Sequence, residues 1–173
     1  MQTKMNDHIF DEMNNCLRDF NLLKARSIFI SEAIGSSSAK KIVSDLLTLD
    51  SMNSNPIYIY INSPGGEVNS GFSIFDTIRY IKSNVNIINT GLCASIATII
   101  NIAAKKENRF SMPNARFLIH QPLISDKIYG QATDIEITAN EITKTKTKIN
   151  QLLAKECGQE LQKVENDTQR DYW

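Results

Sequence analysis

Two hydrophobic periods take turns along this chain, and their order reads as strand, helix, strand, helix. Ser27-Ile-Phe-Ile-Ser31 is short, apolar and rich in β-formers, which predicts a strand. Ser36 to Leu49 follows with Ile42, Val43, Leu46 and Leu47 on one helical face, behind serines able to cap a helix. Ile57-Tyr-Ile-Tyr-Ile61 repeats every second residue, so its isoleucines share one face of a strand while Tyr58 and Tyr60 take the other. Asn62-Ser-Pro-Gly-Gly66 ends that strand with turn residues, and Val68, Phe72, Phe75 and Ile78 then recur at helical spacing from near Glu67. Val85 to Gly91 predicts a further strand, Ser95 opens an apolar helix reaching Ala104, and Arg116 to His120 predicts another strand, ended by Pro122. Strands alternating with helices imply right-handed crossovers, hence an α/β fold with a mainly parallel sheet covered by helices.

Gln131 to Glu156 has a different pattern. Ile135, Ala139, Ile142, Ile149, Leu152 and Leu153 make a narrow stripe on a long helix otherwise full of Thr, Lys and Glu, which suggests pairing with another helix as an oligomerisation arm. Thr133 and Glu136 have capping-box spacing at its start, and Gly158 suits its C-cap. Residues 1–20 lack a clean period and read as a helix or loop of uncertain order, serving contacts rather than the core. The remainder, 21–173, reads as one domain, because 173 residues with 42% hydrophobic content suffice for one core and not for two.

Charge and cysteine usage narrow the chemistry. Lysine plus arginine and aspartate plus glutamate each total 19, so no net field attracts nucleic acid or anionic membranes. No secretory signal pattern opens the chain, and no stretch is long and apolar enough to span a bilayer. Cys16, Cys93 and Cys157 are odd in number and far apart, as expected of reduced thiols in the cytoplasm, which makes the sequon-like Asn166-Asp167-Thr168 a chance match. With His8 and His120 the only histidines and no CxxC, no metal site of ordinary ligand spacing can be written, and no cofactor is implied. Gly66 and Gly71 have P-loop separation, but Phe72 stands where the phosphate-binding lysine is required.

Catalysis by a serine needs a base, a group that orients the base and donors for the oxyanion. Ser95 sits where a strand passes into a helix, near free N–H groups and the positive end of the helix dipole. His120 and Gly66 each follow a predicted strand, and the ends of parallel strands line one crevice, so the three can converge there. Taken singly, a serine at a helix start is usually a cap, a histidine beside an apolar strand is usually structural, and Asp171 is usually a solvated charge. The segment around Ser95 does not match the G-x-S-x-G elbow of α/β-hydrolases.

Five blocks, in this order, decide between these readings: Tyr-Ile-Asn-Ser-Pro-Gly-Gly66, Gly91-Leu-Cys-Ala-Ser95-Ile-Ala, Phe-Leu-Ile-His120-Gln-Pro, Gly130-Gln-Ala-Thr-Asp-Ile-Glu-Ile137 and Asp167-Thr-Gln-Arg-Asp171. Together they resemble the ClpP-type peptidase family, from roughly Phe20 to Trp173. The resemblance implies a serine endopeptidase with Ser95 as nucleophile, His120 as base, Asp171 rather than Asp167 as the third member, and the backbone N–H groups of Gly66 and Ile96 as oxyanion hole. It further implies a ClpP/crotonase-like fold and two stacked heptameric rings, homomeric or mixed with a paralogue, joined by a handle at about 123–158. The implied partner is an AAA+ unfoldase such as ClpX, ClpA or ClpC that delivers unfolded polypeptides and docks at Tyr58, Tyr60, Tyr80, Phe110 and Met112. The alternative readings are a non-catalytic ring subunit of the same assembly and an acyl-CoA enzyme of the crotonase class.

The chain departs from the family in three places. Ile96 follows the nucleophile where methionine is usual, which alters the pocket but leaves the needed N–H in place. The segment Ile124-Ser-Asp-Lys127, before Ile128-Tyr-Gly130, is longer than usual and reads as an insertion. Family members continue beyond the position of Trp173 into a strand and tail, so the expectation is that this segment is absent and that Asp171 lies on a frayed end.

Overall fold

The alternating isoleucines of 57–61 set the centre of the architecture. The structure, a computed structural model, describes residues 13–14, 16–123 and 129–173. Ile57, Ile59 and Ile61 are fully buried on one face of strand β2 (Ile57–Ser63), while Tyr58 is exposed on the other. On either side lie β1 (Ser27–Ile30) and β3 (Val85–Ala94), and β3 is shared further along by β4 (Arg109–Ser111) and β5 (Arg116–Leu118). All of these pairings are parallel. A parallel sheet needs crossovers, supplied here by α2 (Ser36–Met52), α3 (Val68–Tyr80) and α4 (Ile96–Asn101). Residues 16–24, α1, are helical ahead of β1. Ile42, Leu46, Ile74, Ile87, Ile99 and Ile100 join the β2 isoleucines in one core.

Several boundaries differ from the sequence reading, each for a physical reason. β3 runs past Gly91 to Ala94, because Leu92, Cys93 and Ala94 pair with Arg116, Phe117 and Leu118 of β5. A side chain at Gly91 would overlap the Asn62 amide, whose Oδ1 accepts the Leu92 N–H at 2.9 Å. The helix after Ser95 ends at Asn101, and only turns carry the apolar run on to Ala104. In α2 the buried stripe is Ala39, Ile42, Leu46 and Leu49, and Leu47 faces out. Its serines act through Ser38, whose Oγ accepts from the Gly35 N–H at 2.9 Å. Neither β4 nor α6 (Leu161–Asp167) follows from the sequence reading, since three residues and seven are too short for a periodic pattern to declare itself.

The long helix α5 spans Ala132–Cys157 and closes on Gly158 in the left-handed conformation (φ 66°), as its C-cap reading expects. Its start is a correction: Gln131 is the N-cap, without a side-chain cap, so Thr133 and Glu136 form no capping box. Only the C-terminal part of α5 packs on the domain, through Ile149, Asn150, Leu153 and Ala154, while Ile135 and Ile137 remain exposed. Glu156 anchors that end, 2.9 Å from Arg79 and 2.7 Å from Arg109. Burial works to raise the pKa of Glu156, but the hydrogen bonds and positive charges of Arg109 and Arg79 together outweigh it and hold the carboxyl below its ordinary value.

The end of the chain is tied down rather than frayed. Ile119 and Tyr172 exchange backbone hydrogen bonds of 3.0 Å as an isolated antiparallel bridge. Gln121 adds two more, from its N–H to Thr168 O at 2.6 Å and from Nε2 to Gln169 O at 2.9 Å. Arg116 lies over the Trp173 ring at 4.2 Å, and buried Thr168 donates to Asn150 of α5 at 3.0 Å. The proposed insertion at Ile124–Lys127, Ile128, and residues 1–12 lie outside the described residues.

Candidate active site

Gly66, Ser95 and His120 follow the carboxyl ends of β2, β3 and β5, and the structure brings them together in one cleft of about 570 Å³. Pro64, Glu67, Val68, Pro122 and Leu123 complete its lining. From it an apolar slot of about 20 Å³ leads inward between Val68, Thr98, Ile99, Ile149 and Leu153, with Ser95 and His120 at its mouth.

Ser95 is held in an unusual backbone conformation. With φ 54° and ψ −127° it is one of the two described non-glycine residues at positive φ, and it is the N-cap of α4. Such strain persists only where the surroundings over-determine it. Here the Ser95 N–H donates to Leu118 O at 2.9 Å, and its carbonyl accepts from the Thr98 N–H at 3.0 Å and the Thr98 hydroxyl at 2.6 Å. Gly65 (φ 91°) passes so close that a Cβ there would lie 2.7 Å from Ser95 Cβ and 2.6 Å from Ala94 O. The turn chemistry of Ser-Pro-Gly-Gly is thus the packing requirement that lets the β2 turn lie against the serine.

Gly66 and Ile96 each bring a backbone N–H to the neighbourhood of Ser95. Gly66 pairs with Ile34 through its neighbours, Ile34 N–H to Gly65 O at 2.8 Å and Glu67 N–H to Ile34 O at 2.7 Å. The N–H of Gly66 itself therefore points away from Ile34, and Gly66 lines the cleft. Ile96 is the first residue of α4, and its N–H is one of the orphan donors that every helix start leaves. Ser95 and the Ile96 N–H lie at the positive end of the α4 peptides.

His120 Nδ1 stands 3.6 Å from Asp171 Oδ1, an ion-pair distance longer than a hydrogen bond, with the histidine largely buried and the Asp171 side chain 66% exposed. The Ile119–Tyr172 bridge is what sets Asp171 against His120. Asp167 is engaged elsewhere, by Lys163 one helical turn before it. Among the described residues no hydrogen bond joins Ser95 to His120.

Cys93, two residues before the serine, is fully buried, and burial pushes its thiol up to about 12. It is accordingly not a rival nucleophile. In native protein treated with iodoacetamide at neutral pH, Cys93 is expected to stay unmodified until denaturant is added, while exposed Cys157 is carbamidomethylated; peptide mapping by mass spectrometry reads both sites.

The residues named as docking positions lie apart from the cleft: Tyr58, Tyr60 and Phe110 on the outer face of the sheet, Met112 just beyond β4 and Tyr80 at the end of α3. Phe29, Tyr60, Ile88 and Phe110 align in register across β1, β2, β3 and β4, and Phe29 stacks on Tyr60 at 4.9 Å. Phe29, Tyr58, Phe110 and Met112 are each about half exposed, and Tyr80, at the end of α3, is almost fully so. Phe29 and Ile88 extend the patch beyond the residues that sequence reasoning named, and Val68, Thr98, Ile149 and Leu153 of the slot were likewise not named as site residues. Ile149 and Leu153 are visible in the sequence only as members of the α5 stripe.

A cleft beyond the carboxyl ends of parallel strands is where open α/β sheets bind their substrates, and this one sets a strained serine beside a histidine. Comparison with known proteins gives the family. The Clp protease family model matches residues 11–173. ATP-dependent Clp protease proteolytic subunit 2 of Treponema denticola is 51% identical over 152 residues, 87% of this chain and 75% of the relative. ATP-dependent Clp protease proteolytic subunit 3 of Rhizobium etli is 47% identical over 153 residues, 88% of this chain and 78% of the relative. The solved structure of a ClpP1 point mutant from Listeria monocytogenes superposes with a TM-score of 0.81 at 41% identity, covering 88% of this chain and 84% of that one. The chain belongs to the Clp protease family: it has the ClpP fold and is a proteolytic subunit of Clp type, a serine peptidase.

Proposed function

We propose that this subunit cleaves peptide bonds through an acyl-enzyme on Ser95, with His120 as general base and acid, Asp171 orienting His120, and the N–H groups of Gly66 and Ile96 stabilising the oxyanion. The observation that carries the reading is the meeting of Ser95, His120 and Gly66 in one cleft, with the serine strained at a helix N-terminus. Ser95 Oγ attacks the scissile carbonyl carbon as His120 takes its proton. The oxyanion accepts from Gly66 and Ile96, the C–N bond breaks, and the amine leaves with the proton from His120. Water, deprotonated by His120, then attacks the acyl ester and returns Ser95 to its starting state. Asp171 is preferred to Asp167 because Asp167 is already paired with Lys163. The His120–Asp171 separation shortens to a hydrogen bond as imidazolium forms, since such contacts tighten on approach to the transition state.

The exposed half of α5 supports its role as a handle joining two heptameric rings, homomeric or mixed with a paralogue, into a tetradecameric chamber. Among the described residues no helix is long and apolar enough to cross a membrane, and the proposed location is the cytoplasm. The aromatic row on the outer sheet face is the proposed dock for an AAA+ unfoldase such as ClpX, ClpA or ClpC, which threads unfolded chains into the chamber. Phe110→Ser is expected to cut ATP-driven degradation of a folded, tagged protein by about 10-fold or more while a short fluorogenic peptide is still hydrolysed, because an aromatic anchor buried on docking carries binding energy that small substrates do not need. Equal loss in both assays would remove the docking role. A non-catalytic ring subunit is the second reading, favoured by the 3.6 Å His120–Asp171 gap; an assembled ring that cleaves no peptide would select it.

A further inference from the structure

Glu67 has no part in the chemistry above, yet it lines the same cleft as Ser95 and His120. It is the N-cap of α3, and its Oε2 accepts a hydrogen bond of 2.6 Å from the buried Ser70 hydroxyl one turn on. That bond fixes where the carboxylate stands while leaving the residue exposed to the cleft. The position beside it is equally fixed, because Glu67 N–H is bonded to Ile34 O and Gly66, the proposed oxyanion donor, immediately precedes it. The other described lining residues are Pro64, Gly66, Val68, Ser95, Pro122 and Leu123, all uncharged, and His120. Glu67 is thus the one acidic group of the described lining, adjacent in the chain to Gly66 on one side and to Val68 of the apolar slot on the other.

We propose that Glu67 is a specificity-determining residue: it favours peptides carrying a lysine or arginine next to the residue that fills the slot, and disfavours those carrying aspartate or glutamate there. This rests on the peptidase reading of the same cleft. A substrate whose apolar side chain enters between Val68, Thr98 and Leu153 and whose carbonyl meets Gly66 N–H must pass its neighbouring residue along the wider cleft where Glu67 stands. A charge met there at the edge of solvent is felt through a water-like dielectric, so a single favourable contact changes the rate several-fold rather than by orders of magnitude. Exchanging a cationic for an anionic side chain counts the effect twice, with opposite signs, giving a ratio of about 10-fold. Salt weakens such a contact, whereas it leaves the apolar slot intact.

The simpler account, in which the Glu67 carboxylate only satisfies the buried Ser70 hydroxyl, makes a different forecast: its loss would lower thermal stability and leave substrate choice alone. Internally quenched peptides with one apolar residue for the slot, and Lys, Gln or Glu placed beside it on each side in turn, separate the two. On the native ring, the ratio of kcat/KM for the Lys peptide to that for the Glu peptide is expected to be about 10 at one of the two positions at low ionic strength, and to shrink toward 1 in about 1 M salt. Glu67→Gln is expected to bring the ratio close to 1 and Glu67→Lys to invert it. The salt series on the native chain needs no variant, so a variant that fails to fold does not rescue the idea. A ring that hydrolyses the Gln peptide with a Lys:Glu ratio near 1 at both positions, or with a ratio unmoved by Glu67→Gln, overturns the inference alone. A ring that hydrolyses none of the peptides and takes no label at Ser95 overturns the peptidase reading, and the inference with it.

Discussion

Ser95→Ala is expected to reduce peptide hydrolysis by about 10³- to 10⁶-fold while the ring still assembles and melts within a few degrees of the native protein. The size of the loss follows from the chemistry: without Oγ there is no acyl-enzyme, and only binding and the oxyanion donors remain to help water attack directly. The small structural cost follows from the packing. Ser95 is positioned by its backbone, through Leu118 O and the Thr98 N–H and hydroxyl, so alanine inherits the same turn. His120→Ala is expected to fall to a similar floor, and the double variant no further, because members of one catalytic unit do not act additively. Steady-state kinetics on the three variants, beside sizing chromatography, checks all of this.

The second large effect is expected at a residue with no side chain. In Gly66→Ala the new Cβ would overlap the Ile34 carbonyl and stand 2.8 Å from Ile34 N, at a φ of 153° that side chains rarely adopt. Neither contact can be relieved by turning a side chain, since both partners are backbone. Residue 66 must therefore shift, and with it the N–H proposed to face the oxyanion. Loss of one such donor costs about 10²- to 10³-fold in kcat, and that is the expected result, accompanied by a lower Tm as the Ile34 bridge strains. Gly35→Ala is the matched control: nothing lies within 4 Å of its Cβ position, and its φ of −137° is ordinary extended backbone. Activity that survives Gly66→Ala would remove Gly66 from the oxyanion hole.

Much of the α/β framework is legible in local sequence because burial on one or both faces leaves a period. Ile57-Tyr-Ile-Tyr-Ile61 reads as a strand and is one, and the helix after the glycines starts at Val68, one residue from its expected place. What local pattern does not carry is register. The alignment of Phe29, Tyr60, Ile88 and Phe110 depends on how four strands slide past one another, so Phe29 and Ile88 could not be placed on the outer patch from their own neighbourhoods. The same limit hid the true end of β3, which is decided by pairing with β5 far along the chain.

For the site, residue types alone leave Ser95 a helix cap and Asp171 a surface charge. The five blocks of family resemblance chose among those roles, and the family is shown by the comparisons. The geometry adds reasons that composition could not supply. Positive φ at Ser95 is invisible in a sequence where serine is not glycine, and the preference for Asp171 over Asp167 rests on the Lys163–Asp167 pair together with the Ile119–Tyr172 bridge that sets Asp171 against His120. The slot residues Ile149 and Leu153 were legible as apolar but not as lining the slot, because one end of α5 packs beside Ser95 and His120 while the other stays exposed.

Whether Ser95 is an activated nucleophile is read by intact mass after treatment with a fluorophosphonate, with assembly state measured on the same sample. One adduct per subunit is expected in the assembled ring, mapped to Ser95, abolished in Ser95→Ala and strongly slowed in His120→Ala. An assembled ring that takes no label at Ser95 would contradict it and leave the chain a structural subunit of its ring.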